Sequence, residues 1–131
     1  MDLDSKQKVL LAIYTEYQKD IPNMELITNV NLDMDSQVFR IAVDKLQSEG
    51  FIIGAKIHFP AGNPYPDKLI PHFIKMTREG IEFVEEKMEI QRSWTSKEKV
   101  EDLKIKFGKL GWDALSDFAA KTLVEILKQT I

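Results

Sequence analysis

The chain of 131 residues contains no cysteine. That excludes disulfides, thiolate zinc sites and a thiol nucleophile, and it fits a reducing compartment, so a cytoplasmic location is expected. No run of about 18 or more uncharged apolar residues occurs, so no membrane span is expected. The opening Met1-Asp2-Leu3-Asp4 is acidic and leads into a charged segment, unlike a secretory signal. Nor is there an excess of positive charge. The net charge is −3 and the pI about 5.4, which gives no overall attraction to phosphate or to anionic lipid. Catalytic signatures are missing as well. Ala61-Gly62-Asn63 lacks the Lys-Ser/Thr of a phosphate-binding loop, and neither Gly-x-Ser-x-Gly nor His-Glu-x-x-His occurs. An enzyme is not expected, and no cofactor is implied.

What is present is enough apolar side chain, 44%, to fill a real core. Residues 5–19 place Val9, Leu10, Ile13, Tyr14 and Tyr17 at helical spacing, with Lys6, Lys8, Glu16 and Gln18 assigned to the other side. Pro22 stops that helix. Asn23 then reads as the cap of a short helix reaching Thr28, and residues 29–32 as a turn. The clearest helix covers residues 33–49. Phe39, Ala42, Val43 and Leu46 form its stripe, Asp33 or Asp35 its N-cap and Gly50 its stop. Residues 51–59 and 69–76 read as two strands paired around a proline-rich loop at 60–67, with Pro71 confining its strand to an edge or bulge. Thr77 caps a further helix, on which Ile81, Val84 and Met88 face inward. Glu82, Glu85, Glu86 and Glu89 read as its solvated face.

Residues 91–96 are the one plausible internal boundary, dividing a domain of residues 1–92 from a helical extension of residues 93–131. Eleven Lys/Arg against fifteen Asp/Glu precede it, and seven against six follow, so the extension is no basic arm. Ser96 caps the first helix of the extension, with Val100, Leu103 and Phe107 along one side. The second, residues 112–130, is apolar over more than half its circumference, and Trp112, Leu115, Phe118, Ala119, Leu123, Ile126 and Leu127 are the candidate interface residues. Such a helix is either sandwiched or docks on another subunit, and a homodimer is the simplest expectation.

Helix, glycine break, strand, loop, strand, helix is the order of a winged helix-turn-helix. The fold class expected is therefore α+β, a winged helix-turn-helix core with a two-helix C-terminal extension. Over about the first 90 residues the chain resembles the YjcQ-like family, small winged-helix proteins of bacteria and phages. The resemblance rests on Phe39-x-x-Ala42-x-x-x-Leu46-x-x-x-Gly50-Phe51-Ile52 and on Met76-Thr77-x-x-Gly80-Ile81-x-Phe83-Val84-Glu85. It implies the fold and supplies no catalytic residue.

The fold suggests duplex DNA as a partner and a role in transcriptional regulation. In such proteins the second helix of the motif enters the major groove. Here it offers Ser36, Gln37, Arg40, Lys45 and Gln47, with Lys56 and Lys68 from the wing. Residues 33–49 nevertheless carry two cations against four anions, a poor start for a helix that must approach phosphate. The wing, residues 56–75, carries three lysines against Asp67. His58, His72 and Asp67 sketch a metal site, but a closed zinc site wants four ligands, so no metal is expected. The alternative to DNA is a protein-interaction module, an inhibitor or adaptor of an unidentified protein, with Tyr65 as an exposed or folded-back contact.

Overall fold

A computed structural model of the protein describes residues 4–129. Its fold is mixed α+β, with five α-helices and short antiparallel strands in two small sheets. Helix α1 (Ser5–Tyr17) is followed by a single 3-10 turn (Met24–Leu26) and by α2 (Ser36–Ser48). Strands β1 (Ile52–Ile53), β2 (Lys56–His58), β3 (Lys68–Ile70) and β4 (Lys75–Met76) come next. Helices α3 (Arg78–Lys87), α4 (Ser96–Lys109) and α5 (Asp113–Gln129) complete the described chain.

Local chemistry sets the helix ends. The side chains of Asp4, Asp35 and Thr77 each accept a backbone N–H in the first turn of α1, α2 and α3. At α4 the cap is Thr95 rather than Ser96. Its hydroxyl accepts from Glu98 N while the Glu98 carboxylate accepts from Thr95 N, a reciprocal capping box. Those bonds hold the Glu98 carboxyl below the usual carboxylate range. The segment after Pro22 forms one 3-10 turn rather than an α-helix. Asn23 caps it as expected, but the Asn31 side chain bonds Leu26 O and draws the chain into a turn.

The centre of the molecule is α1, where Val9 through Glu16 are all buried. A helix buried on every side has neighbours on every side. Here they are α2, α3, β4 and α5. One apolar core accordingly runs from Val9 and Leu10 through Leu46, Ile52 and Val84 to Phe107, Phe118 and Ile126. The helical extension docks on its own chain: α4 and α5 form a helical hairpin, and α5 closes over α1.

That packing corrects two expectations. Glu16 and Glu85, both assigned to solvated helix faces, are buried. A buried charge needs a partner, and each has one. Lys19 Nζ lies 2.8 Å from Glu16 Oε2, and Lys99 Nζ lies 2.8 Å from Glu85 Oε2. Glu85 Oε2 also accepts from the Tyr14 hydroxyl at 2.8 Å. The expectations failed because they treated α1 and α3 as helices with one free face, whereas the α4/α5 layer covers the far side.

The strands pair antiparallel, Ile52↔Met76 and Ile53↔Lys75 in one ladder, Lys56↔Ile70, Ile57↔Leu69 and His58↔Lys68 in the other. Each expected long strand is thus broken in two. Gly54 lies at the break with φ +85, and a Cβ there would stand 1.9 Å from Phe73 O, so the approach of the two chains requires glycine. Ala55, left without a ladder partner, is served instead by Gln47 of α2. Its N–H donates to Gln47 Oε1 at 2.8 Å and its carbonyl accepts from Gln47 Nε2 at 3.0 Å. Gln47→Ala would strand both groups beside the core. We expect a loss of about 1–3 kcal/mol in urea unfolding and faster hydrogen exchange at Ala55. Unchanged exchange there would mean that water replaces the amide without cost.

Candidate nucleic-acid interface

Along the hairpin, side chains alternate between the core and solvent as the pleat requires. Ile52, Ala55, Ile74 and Met76 point into the core. Ile53, Lys56, His58, Lys68, Ile70 and Lys75 point away from it. The register sets each outward lysine across from a non-acidic neighbour: Lys75 from Ile53, Lys56 from Ile70, Lys68 from His58. Lys56 Nζ sits 5.1 Å from the centre of the Phe73 ring, over an aromatic that is 61% exposed. Among the described residues no carboxylate pairs with Lys56, Lys68 or Lys75. Asp67, the one acid of the hairpin, is taken by His58, whose Nδ1 lies 2.6 Å from Asp67 Oδ1. That bond holds the Asp67 carboxyl below its usual range.

The helix offers less than its sequence suggests. Arg40 donates from Nε to Pro66 O at 3.0 Å and from its guanidinium to Gln37 Oε1 at 2.7 Å. Arg40 therefore ties α2 to the wing loop, as Gln47 ties it to Ala55. Of the five helix candidates, Ser36 and Lys45 are the ones left exposed, while Gln37, Arg40 and Gln47 are half-buried and bonded. Glu49, at the end of the same helix, holds Lys6 at 2.8 Å. Both wing candidates, Lys56 and Lys68, are exposed, and so is Lys75, the third lysine of the wing. At the loop tip Tyr65 is 57% exposed, its N–H bonded to Asn63 Oδ1.

The two histidines do not meet. His58 pairs with Asp67, and His72 reaches Glu25 in the 3-10 turn at 2.9 Å. No cluster of three or more His, Asp or Glu suited to a metal ion occurs among the described residues.

The candidate interface on α5 is narrower than its sequence suggests. Leu115, Phe118, Ala119 and Ile126 are buried in the chain's own core, and Trp112 and Leu123 are half-buried against it. Trp112 is tilted over Phe107 at 6.1 Å, with Lys8 Nζ 5.2 Å from its ring. Leu127, 43% exposed, is what remains of that set at the surface. The broad apolar circumference of α5 is explained by its sandwiched position between α1 and α4. Among the described residues no helix is long and apolar enough to cross a membrane.

The architecture defines the class no further than a small α+β protein with a basic hairpin face. No family model, curated protein or solved structure matches the chain.

Proposed function

We propose that the protein is a non-enzymatic winged helix-turn-helix module that binds duplex DNA chiefly through its wing. In this reading α1, the 3-10 turn and α2 form the helical part, with β1–β4 as the wing. The observation that carries it is the outward face of the hairpin, where Lys56, Lys68 and Lys75 project without a carboxylate partner. In a chain of net charge −3, three unneutralised cations on one face are a local reversal of sign. Phosphate contacts dominate affinity for DNA, and they need such cations. With Arg40 and Gln47 engaged internally and α2 acidic, base reading through the helix is secondary. Binding is accordingly weak and selective for backbone shape rather than sequence.

Three phosphate contacts imply a slope of about −3 in log K against log salt concentration. The triple variant Lys56→Ala/Lys68→Ala/Lys75→Ala, confined to exposed side chains, should keep the fold and flatten that slope toward zero. Each single change should lower it by about 1. Fluorescence anisotropy of a labelled duplex, titrated at several salt concentrations, measures both. A slope unchanged by the triple variant would remove the wing from the reading. Absence of any binding at low salt would remove DNA. The second reading, an acidic protein partner, is favoured by Ile53, Ile70 and Phe73 between the lysines on the same face. A pull-down that recovers one protein and no DNA, and fails with Phe73→Ala, would replace the first reading with it.

A further inference from the structure

The lysines of the hairpin face answer phosphate, but much of that face is apolar. Ile53 is 52% exposed, Ile70 48% and Phe73 61%. The register interleaves them with the cations, Ile53 across from Lys75 and Ile70 across from Lys56. Phe73 stands in the connection between β3 and β4, with the Lys56 ammonium over its ring. Asp67 and Glu25, whose carboxylates reach the hairpin, are each held by a histidine. The face is therefore cationic and apolar at once.

The backbone fixes where the Phe73 ring is presented. Ile74 N donates to Pro71 O at 3.0 Å, closing a β-turn with His72 and Phe73 at its centre. Phe73 O lies against Gly54, where a Cβ would stand 1.9 Å away. His72 ties the same turn to Glu25 of the 3-10 turn. A tight, tethered turn thus holds an aromatic side chain out in solvent beside a cation.

That arrangement adds little to contact with a closed duplex. There the faces of the bases are covered by their own stacking, and backbone contacts call on the charges alone. An unpaired base offers an open π-face, and its phosphate lies close enough for a neighbouring lysine. Aromatic platforms beside a positively charged track are how single strands are held. We propose that the hairpin face binds DNA at unpaired bases. One base stacks on Phe73, Ile53 and Ile70 cover the apolar edge of the strand, and Lys56, Lys68 and Lys75 take the phosphates. This rests on the reading of the lysines as phosphate contacts, and it narrows the preferred ligand to single-stranded stretches such as a gap or a bubble.

The probes are a labelled oligothymidylate of roughly ten nucleotides, within the site sizes of small single-strand binders, and the same strand paired with its complement. Fluorescence anisotropy should show the single strand bound about tenfold more tightly at equal salt, the effect of one stacked base. Its salt slope should be about −2 against about −3 for the duplex, because a single strand releases fewer counterions per contact. Phe73→Leu keeps apolar bulk at an exposed position and should bring the single strand down to the affinity of the duplex. Phe73→Trp should restore the preference. Equal affinity of the parent for both forms, or a preference that survives Phe73→Leu, would overturn the proposal. In either case a slope that still flattens in the triple lysine variant leaves the phosphate contacts standing. Absence of binding to both forms would remove the two readings together.

Discussion

Glu85→Ala is expected to destabilise the protein by about 3–5 kcal/mol, among the largest effects of any single substitution. The carboxylate is the shared acceptor of Tyr14 and Lys99, and the Lys99 side chain is itself only 12% exposed. Removing it leaves an ammonium and a hydroxyl unpaired beside the core, and takes from Arg92, at 3.8 Å, one of its two acidic neighbours. Glu85→Gln keeps an acceptor for Tyr14 and should lose less. Urea unfolding of the three proteins gives the comparison. A loss below about 1 kcal/mol for the alanine variant would show that Lys99 swings into water. The same network has a signature in alkali. Burial first, then the hydrogen bond to Glu85 and its charge, push the Tyr14 hydroxyl well above its ordinary value of 10.0. A raised value means that its contribution is fully present below pH 10. It is lost as pH rises further, because the unfolded tyrosine ionises and the folded one does not. Tyr14→Phe is less stable at neutral pH, and the gap from the parent should narrow above pH 10. A constant gap would count against the buried hydroxyl.

The second large effect runs against helix propensity. Gly80 lies inside α3, where alanine is favoured over glycine by about 1 kcal/mol. A Cβ at Gly80, however, would stand 2.1 Å from Phe51 O and 3.1 Å from Met76 Cε. Phe51 O is a backbone atom held by Thr77 N at 3.2 Å, so it has little room to retreat. The clash wins. A net loss of about 2–3 kcal/mol is expected for Gly80→Ala, or a melting temperature lower by roughly 10 °C. Gly108 in α4 is the control, since its nearest neighbour would be Ser116 Oγ at 3.9 Å. There the same substitution should stabilise by up to about 1 kcal/mol. Two glycine-to-alanine changes of equal sign in thermal melts would refute the steric account.

The residues that were legible in the sequence are those whose signal is local. Asp35, Thr77 and the Phe39–Leu46 stripe define α2 and α3 because caps and a 3.6-residue period act over a few positions. The pairing of residues 51–59 with 69–76 followed from β-branched runs around a proline-rich loop. The break at Gly54 did not, because it depends on Phe73 O approaching from the other strand. Arg40 and Gln47 are of types that permit base contact. Only the tertiary position of Pro66 and Ala55 turns them into tethers. Likewise Glu16 is an ordinary polar residue in the sequence, and its burial follows from the packing of α1 among α2, α3, β4 and α5. Lys56 and Lys68 were legible, because alternation within a short strand fixes which side chains point outward.

The closure of α5 over α1 also sets a clock on folding. Val9 through Tyr14 belong to α1, on which α5 packs about a hundred positions later, and Gln129 bonds the backbone of Ile21 across 108 positions. Contacts of such long sequence separation form late, because the chain must lose its loop entropy before they contribute. On the ribosome, α1 therefore waits with its apolar surface incomplete until α5 has emerged. During that interval its aliphatic side chains stay open to misassociation.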